Sequence, residues 1–252
     1  EKDLNFIHPY DDIDVIAGQA TVAKEILSQL EDVDLVFVPV GGGGLISGIA
    51  SYIKHYAPKV KVIGVEPIDS ATLHNALKGN ERVILEDVGR FADGVAVKQI
   101  GELPFEIAKK CVDDVVLVSN DEMCAAIKDI YEDVRAVSEP AGALATAGVK
   151  KYILEHELKN KNIVSIVSGA NVNFDRLRYI AERADLGELT EAIIAVTIPE
   201  EPGSFLRFCE LLDNHSVTEF NYRYSPTGDA HIFVGIEISS GDSEKQALIE
   251  KL

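Results

Sequence analysis

Val36-Phe37-Val38-Pro39-Val40-Gly41-Gly42-Gly43-Gly44-Leu45-Ile46-Ser47-Gly48-Ile49 carries an apolar stretch through four consecutive glycines into a second apolar stretch with helical potential, Leu45 to Tyr56. Glycine loses more backbone entropy on ordering than any other residue and brings no side chain to pack. A run of glycines therefore marks a place where the backbone comes close to a ligand with its N–H groups free. Between a strand and a helix N-terminus, such a loop offers several amide donors and the positive end of the helix dipole to one anion, most naturally a phosphate. A tight connection or a hinge is the plainer reading, but a short turn needs fewer glycines.

The common phosphate loops do not fit. Gly43 and Gly48 have the spacing of a P-loop, yet Ile49 and Ala50 follow where Lys and Ser/Thr belong. The dinucleotide fingerprint fails because Ile46 stands where a third glycine would follow Gly41 and Gly43. With no lysine on the loop and no hydroxyl placed to hold Mg²⁺, the pattern predicts a small phosphorylated cofactor held mainly by backbone amides.

From Asp32 to Ala170, strand-like runs (Leu35–Val40, Val60–Val65, Val115–Val118, Ile163–Val167) alternate with amphipathic candidates (Val15–Leu30, Leu45–Tyr56, Ser70–Leu77, Pro104–Lys110, Asp121–Glu132, Gly142–His156). Asn120 or Asp121 is expected to cap the fifth of these. Alternation with short joints predicts an α/β architecture, an open and mostly parallel sheet with helices on both sides. Ligands in such sheets sit beyond the carboxyl ends of the strands, where both Gly41–Gly44 and Ser168–Asn171 fall. After Leu186-Gly187-Glu188 the rhythm becomes β-α-β-β: Ala192–Ile198, then Gly203–Leu212 with Phe205, Leu206, Cys209 and Leu212 near one face, then Ser216–Tyr224, a turn at Ser225-Pro226-Thr227-Gly228, and Ala230–Ser239. Asp242–Leu252 is expected to begin a further helix, and the unit is expected to be a partial α+β module short of a closing strand.

The 252 residues carry a formal net charge of −18 with the acidic residues dispersed, which argues against nucleic acid or an anionic membrane as partner. Cys111, Cys124 and Cys209 are widely spaced and form no C-x-x-C, favouring packing thiols in a reducing compartment over disulfides or zinc. His8, His55, His74, His156, His215 and His231 show no ligand spacing. No stretch has the length of a membrane span.

Three further segments accompany the tetraglycine loop: Phe91-Ala92-Asp93-Gly94-Val95-Ala96-Val97, Glu132-Asp133-Val134-Arg135-Ala136-Val137-Ser138-Glu139-Pro140-Ala141-Gly142-Ala143, and Ile163-Val164-Ser165-Ile166-Val167-Ser168-Gly169-Ala170-Asn171-Val172-Asn173. Together they resemble the threonine deaminase family, pyridoxal-phosphate enzymes of the tryptophan-synthase-β fold (fold type II). The likeness runs from about Phe6 to about Ser239. It includes Ala195-Val196-Thr197-Ile198-Pro199-Glu200-Glu201-Pro202-Gly203-Ser204-Phe205 and Ser216-Val217-Thr218-Glu219-Phe220-Asn221-Tyr222-Arg223-Tyr224, which look like the start of an ACT-like, isoleucine-sensing regulatory domain. The resemblance implies pyridoxal 5'-phosphate as cofactor, L-threonine as substrate, isoleucine and valine as effectors, and a homo-oligomer in a bacterial cytoplasm or a plastid. It implies a catalytic part at residues 1–187 and a partial regulatory domain at 188–252.

By the same resemblance, Gly41, Gly42, Gly43, Gly44 and Leu45 match the loop whose amides hold the cofactor phosphate. Ser168 matches the hydroxyl that meets the pyridine nitrogen. Gly94 and Glu139 match pocket positions, but each has a structural reading, as a turn glycine and a helix-start acid. Glu66 and Ser70 match two positions of a divalent-cation site, with Thr72 where the third, an aspartate, should be; no metal is expected there. The family's Ser-x-x-Lys-x-Arg-Gly and Ser-x-Gly-Asn-His segments, which supply the Schiff-base lysine and a ring-oxygen contact, do not occur here, and Lys98 is expected to be a surface lysine. The resemblance therefore implies the carboxyl-terminal part of a catalytic domain, with no catalytic residue of its own. Rival readings are a serine/threonine deaminase or serine racemase of the same fold, and a non-catalytic amino-acid sensor. Gly43→Val is expected to abolish cofactor retention and leave the fold largely intact.

Overall fold

The computed structural model describes residues 6–224 and 228–252. The chain divides into two compact units, Glu1–Ile180 and Ala181–Leu252.

In the first unit, α1 (Ile13–Gln29), β1 (Leu35–Pro39), α2 (Gly44–Tyr56), β2 (Lys61–Pro67), α3 (Thr72–Gly79), α4 (Glu102–Cys111), β3 (Asp114–Val118), α5 (Asn120–Val134), α6 (Pro140–Glu155) and β4 (Ile163–Ser165) follow in order, and α7 (Arg176–Gly187) begins there. Strands β3-β2-β1-β4 lie side by side in that order, every pairing parallel. The expected α/β class and parallel sheet are present. All five residues of β1 are buried, because helices cover both of its faces. Val36, Val38 and Val40 join one apolar cluster with Ala23 of α1, Ile46, Ile49 and Ile53 of α2, and Phe105 of α4. Phe37 points the other way and meets Tyr152 of α6 edge-on, ring centroids 5.4 Å apart.

Close approaches set this packing. A methyl group on Gly148 of α6 would lie 2.5 Å from Val65 of β2, and one on Gly48 of α2 would enter the backbone of α1 at Ile16 and lie 2.7 Å from Ala20 N.

Several boundaries differ from the expectation for stated reasons. The cap of α5 is Ser119, not Asn120 or Asp121: its hydroxyl accepts the Glu122 N–H at 3.2 Å while the Glu122 carboxylate accepts the Ser119 N–H at 2.6 Å, a capping box. Helix α3 starts at Thr72, after a 3-10 turn at Ile68–Ser70. Strand β4 stops at Ser165 rather than Val167. The Ile166 N–H still reaches Phe37 O at 3.1 Å, but the next β1 residue facing β4 is Pro39, which has no N–H to continue the ladder.

The second unit contains β5 (Glu191–Pro199), α8 (Ser204–Leu212), β6 (Val217–Tyr224), β7 (Asp229–Glu237) and α9 (Asp242–Lys251), matching the expected β-α-β-β and following helix. The sheet is antiparallel in the order β5-β7-β6. Ile194, Ile198, Ile232, Val234 and Ile236 pack beneath Phe208, Leu212 and Leu248. The buried face of α8 is therefore Ser204, Phe208 and Leu212, at i, i+4, i+8. Phe205, Leu206 and Cys209, expected on it, are exposed. Of the expected turn, Ser225, Pro226 and Thr227 lie outside the described residues.

Gly48→Ala forces α1 and α2 apart at a backbone contact. It should lower unfolding stability by about 1–3 kcal/mol, the range for overpacking, read as the shift in denaturant midpoint. Gly18→Ala, where a methyl group meets nothing within 4 Å, is the matched control and should not destabilise.

Candidate functional site

The strand order reverses between β1 and β4: from β1 the chain moves outward through β2 and β3, then returns to the other side of β1. At such a switch point the connections beyond two adjacent strands diverge and leave a crevice. Leu35 pairs with Ile163 and Phe37 with Ser165, so the loop at Gly41–Gly44 and the segment at Ser168–Gly169 emerge side by side there. Pro39 ends their ladder just below.

The loop is fixed by contacts that need its missing side chains. A methyl group on Gly41 would lie 2.9 Å from Val95 Cα, and one on Gly42 would enter the Tyr10 ring. One on Gly43 would lie 2.7 Å from Pro104 Cβ and one on Gly44 3.0 Å from Tyr10 Cα and Cβ. Gly43 also has φ of 92°, a left-handed conformation that favours glycine. Gly43→Val therefore strains the backbone and invades protein; the expectation that it would leave the fold largely intact is corrected.

Two of the loop's carbonyls are engaged, Gly42 O by the Gly101 N–H at 3.1 Å and Gly43 O by the Ser47 N–H at 3.0 Å. Its donors are not. Gly43 supplies no side-chain cap to α2, and among the described residues no acceptor meets the N–H groups of Gly41, Gly42, Gly43, Gly44 or Leu45. Gly43 and Gly44 are buried. Buried N–H groups without partners are costly, and at the start of a helix they form a ready anion site. A phosphate group fits this donor set.

Ser168 lies across the crevice and is exposed, its hydroxyl only 3.5 Å from Ala141 O. Glu139 and Gly94, left aside in the sequence as helix-start acid and turn glycine, belong to the same wall. A methyl group on Gly169 would enter the Glu139 carboxylate, and one on Gly94 would lie 3.0 Å from Ala141 Cβ and 3.9 Å from Glu139 Oε2. Gly169 O accepts from the Ser138 hydroxyl at 3.1 Å and the Glu139 N–H at 3.2 Å. Tyr10 and Asp11 beside the loop were not singled out, and no spacing in the sequence ties them to it. Lys98 is exposed and donates to Glu86 O at 2.6 Å.

One family model, that of pyridoxal-phosphate dependent enzymes, matches residues 1–169, and another, the C-terminal regulatory domain of threonine dehydratase, matches residues 182–252. The chain belongs to the pyridoxal-phosphate dependent enzyme family. It is 54% identical over 251 residues to the biosynthetic L-threonine dehydratase of Pasteurella multocida, covering 100% of this chain and 49% of that protein. It is 49% identical over 253 residues to the chloroplastic biosynthetic threonine dehydratase of Arabidopsis thaliana, covering 100% and 43%. Among solved structures, the processed form of threonine deaminase isoform 2 from Solanum lycopersicum superposes with a TM-score of 0.72 at 48% identity, covering 73% of this chain and 50% of that one. The chain thus spans about half the length of the curated relatives it matches. The first family match ends at Gly169, so it takes in both sides of the crevice.

Glu66, one of the positions considered for a cation, is fully buried at the end of β2. Its Oε1 accepts the Thr72 hydroxyl at 3.1 Å and the Leu73 N–H at 2.7 Å, and its Oε2 accepts the His74 N–H at 2.8 Å. The carboxylate thus caps α3, and Thr72 serves it as a donor. Burial pushes the Glu66 carboxyl up to about 7, against the hydrogen bonds from Thr72, Leu73 and His74 that favour its anion. Between 4.5, its ordinary value, and about 7 the folded protein holds a proton that the unfolded chain has released. Stability should therefore be highest below that window and fall as pH rises through it, by an amount on the order of 3 kcal/mol. Unfolding curves across the window should show this slope, and Glu66→Gln should flatten it.

Proposed function

We propose that the polypeptide acts as a pyridoxal-phosphate-dependent threonine ammonia-lyase, converting L-threonine to 2-oxobutanoate and ammonia under feedback by isoleucine and modulation by valine. The observation that carries this reading is the coupling, in one chain, of an amide-lined switch-point loop with a unit that matches the regulatory domain of threonine dehydratase. A serine racemase or catabolic serine deaminase of the same fold has no use for such a unit. We assign residues 1–187 to the cofactor-binding part and 188–252 to the regulatory part.

Pyridoxal phosphate supplies an electron sink for the substrate's Cα. The protein's contribution from these residues is to hold and orient it. The N–H groups of Gly41, Gly42, Gly43, Gly44 and Leu45, with the dipole of α2, take the phosphate. The Ser168 hydroxyl would meet the ring nitrogen. A neutral hydroxyl there would not favour a charged ring as a carboxylate would, which would suit elimination better than transamination. No lysine among these residues lies in the family's Schiff-base motif, so the 252 residues alone should not turn over threonine. The complete polypeptide should form 2-oxobutanoate; racemisation of serine without it would overturn the reading.

Effector binding is assigned to the loop before α8. Gly203 caps that helix with φ of 93° and no side-chain acceptor, and a methyl group there would lie 3.7 Å from Arg207 Nη1. An amino-acid carboxylate entering the loop meets the helix N-terminus and this guanidinium. In Gly203→Asp the new carboxylate occupies that cation, whereas Gly203→Ala brings the backbone strain alone. The Asp variant of the complete enzyme should raise the isoleucine concentration for half-inhibition about tenfold, roughly the worth of one charge-assisted hydrogen bond. It should do so with little change in the threonine requirement, and Ala should do markedly less. Equal effects of the two variants would remove effector binding from this loop.

A further inference from the structure

Every donor in the first turn of α4 is accounted for. The Gly101 N–H goes to Gly42 O at 3.1 Å, those of Glu102 and Leu103 go to Asp11 Oδ2 and Oδ1 at 2.8 and 2.9 Å, and Pro104 has none. The helix's own ladder then starts with Phe105 N to Gly101 O at 3.1 Å. Helix caps are normally local, whereas this carboxylate stands 91 positions before Glu102. It belongs to the strap His8–Asp12, whose turn is closed by the Asp11 N–H donating to His8 Nδ1 at 2.9 Å.

The two pieces that Asp11 joins are the two that grip the glycine loop. Tyr10, from the strap, presses on Gly42 and Gly44; Pro104, from α4, presses on Gly43. The α4 piece also holds the loop by the hydrogen bond from Gly101 N to Gly42 O, and holds the first turn of α2 through the Ser47 hydroxyl to Pro104 O at 3.3 Å. Among the described residues, the hydrogen bonds between strap and α4 both end on the Asp11 carboxylate.

We infer that Asp11 is a positioning residue for the phosphate loop: by fastening the Tyr10 strap to the start of α4, it closes a clamp that keeps the Gly41–Leu45 amides in their anion-accepting arrangement. The inference rests on the cofactor reading above. Asp11 acts through Tyr10, Gly101 and Pro104.

Its neighbour Asp12 provides the control. Asp12 Oδ1 caps α1, accepting from Asp14 N at 2.9 Å and Val15 N at 3.3 Å, so Asp12→Ala removes a helix cap one residue away without opening the clamp. In the full-length protein, Asp11→Ala should raise the dissociation constant for pyridoxal phosphate about tenfold, the scale of one charge-assisted bond. In the cofactor-free protein it should speed hydrogen exchange at the Gly101 N–H, whose acceptor is Gly42 O. Asp11→Asn, which keeps one acceptor oxygen and the shape, should fall between. Asp12→Ala should lower the thermal midpoint by a similar amount and leave both readouts at wild-type values. If Asp11→Ala and Asp11→Asn lower the midpoint but change neither exchange nor affinity, Asp11 is a helix cap and nothing more. If the Asp11 variants speed exchange at Gly101 while even the wild type takes up no pyridoxal phosphate, the clamp stands and the cofactor reading fails.

Discussion

Buried amide donors without acceptors are the constraint around which the first unit is arranged. A helix start without a side-chain acceptor is tolerated at the surface, where water serves, but Gly43 and Gly44 are buried. Holding those N–H groups in place while denying them partners requires rigid surroundings. Tyr10, Val95, Ile100 and Pro104 provide them by occupying the volume that side chains on the loop would fill. The glycines thus serve two ends at once: they admit protein from the sides and keep the donors clear in front. The plainer reading of the run, close packing, and the functional one are not alternatives here.

The same economy governs the neighbouring strands. Pro39 is tolerated in a central strand because its missing N–H falls on the β4 side, beyond the last bond that β4 needs, while Val40 N still reaches Val65 O at 2.9 Å. Pairing with β2 continues and pairing with β4 ends. The crevice opens between β1 and β4 because the ladder is interrupted chemically as well as topologically.

Most of this was legible in the sequence because it was periodic or compositional. The buried run Leu35–Pro39, the alternation with helices, the glycine loop and the β-α-β-β rhythm after Gly187 each leave a local mark. What was not legible depended on partners distant in sequence. Thr72 as the start of α3 depends on the Glu66 carboxylate six positions earlier, and Glu102 as the start of α4 on Asp11. The face of α8 was misjudged because Phe205, Leu206 and Cys209 are as apolar as the residues that do pack. Only the sheet against which Phe208 and Leu212 pack distinguishes them. The alternation of elements put Ser168 beyond the carboxyl end of a strand, but its role came from resemblance alone: a strand-end serine carries no chemical signal of its own.

Caps tie these points together. In the first unit, α1 starts under Asp12, α3 under Glu66, α4 under Asp11 and α5 under Ser119 with Glu122. Helices α2 and α6 begin without a side-chain acceptor, at Gly43 and Glu139. These two are the helices whose N-termini border the crevice, α2 through the glycine loop and α6 through Ala141 and Glu139 beside Ser168 and Gly169. Carboxylates thus meet the starts of α1, α3 and α4, whereas none among the described residues accepts from the first turns of α2 and α6. Glu139 is the residue at the cap position of α6, yet its side chain turns away to Gly169 and Gly94 rather than accepting from its own helix. An anion entering the crevice between β1 and β4 therefore meets a helix N-terminus that no side chain among the described residues caps.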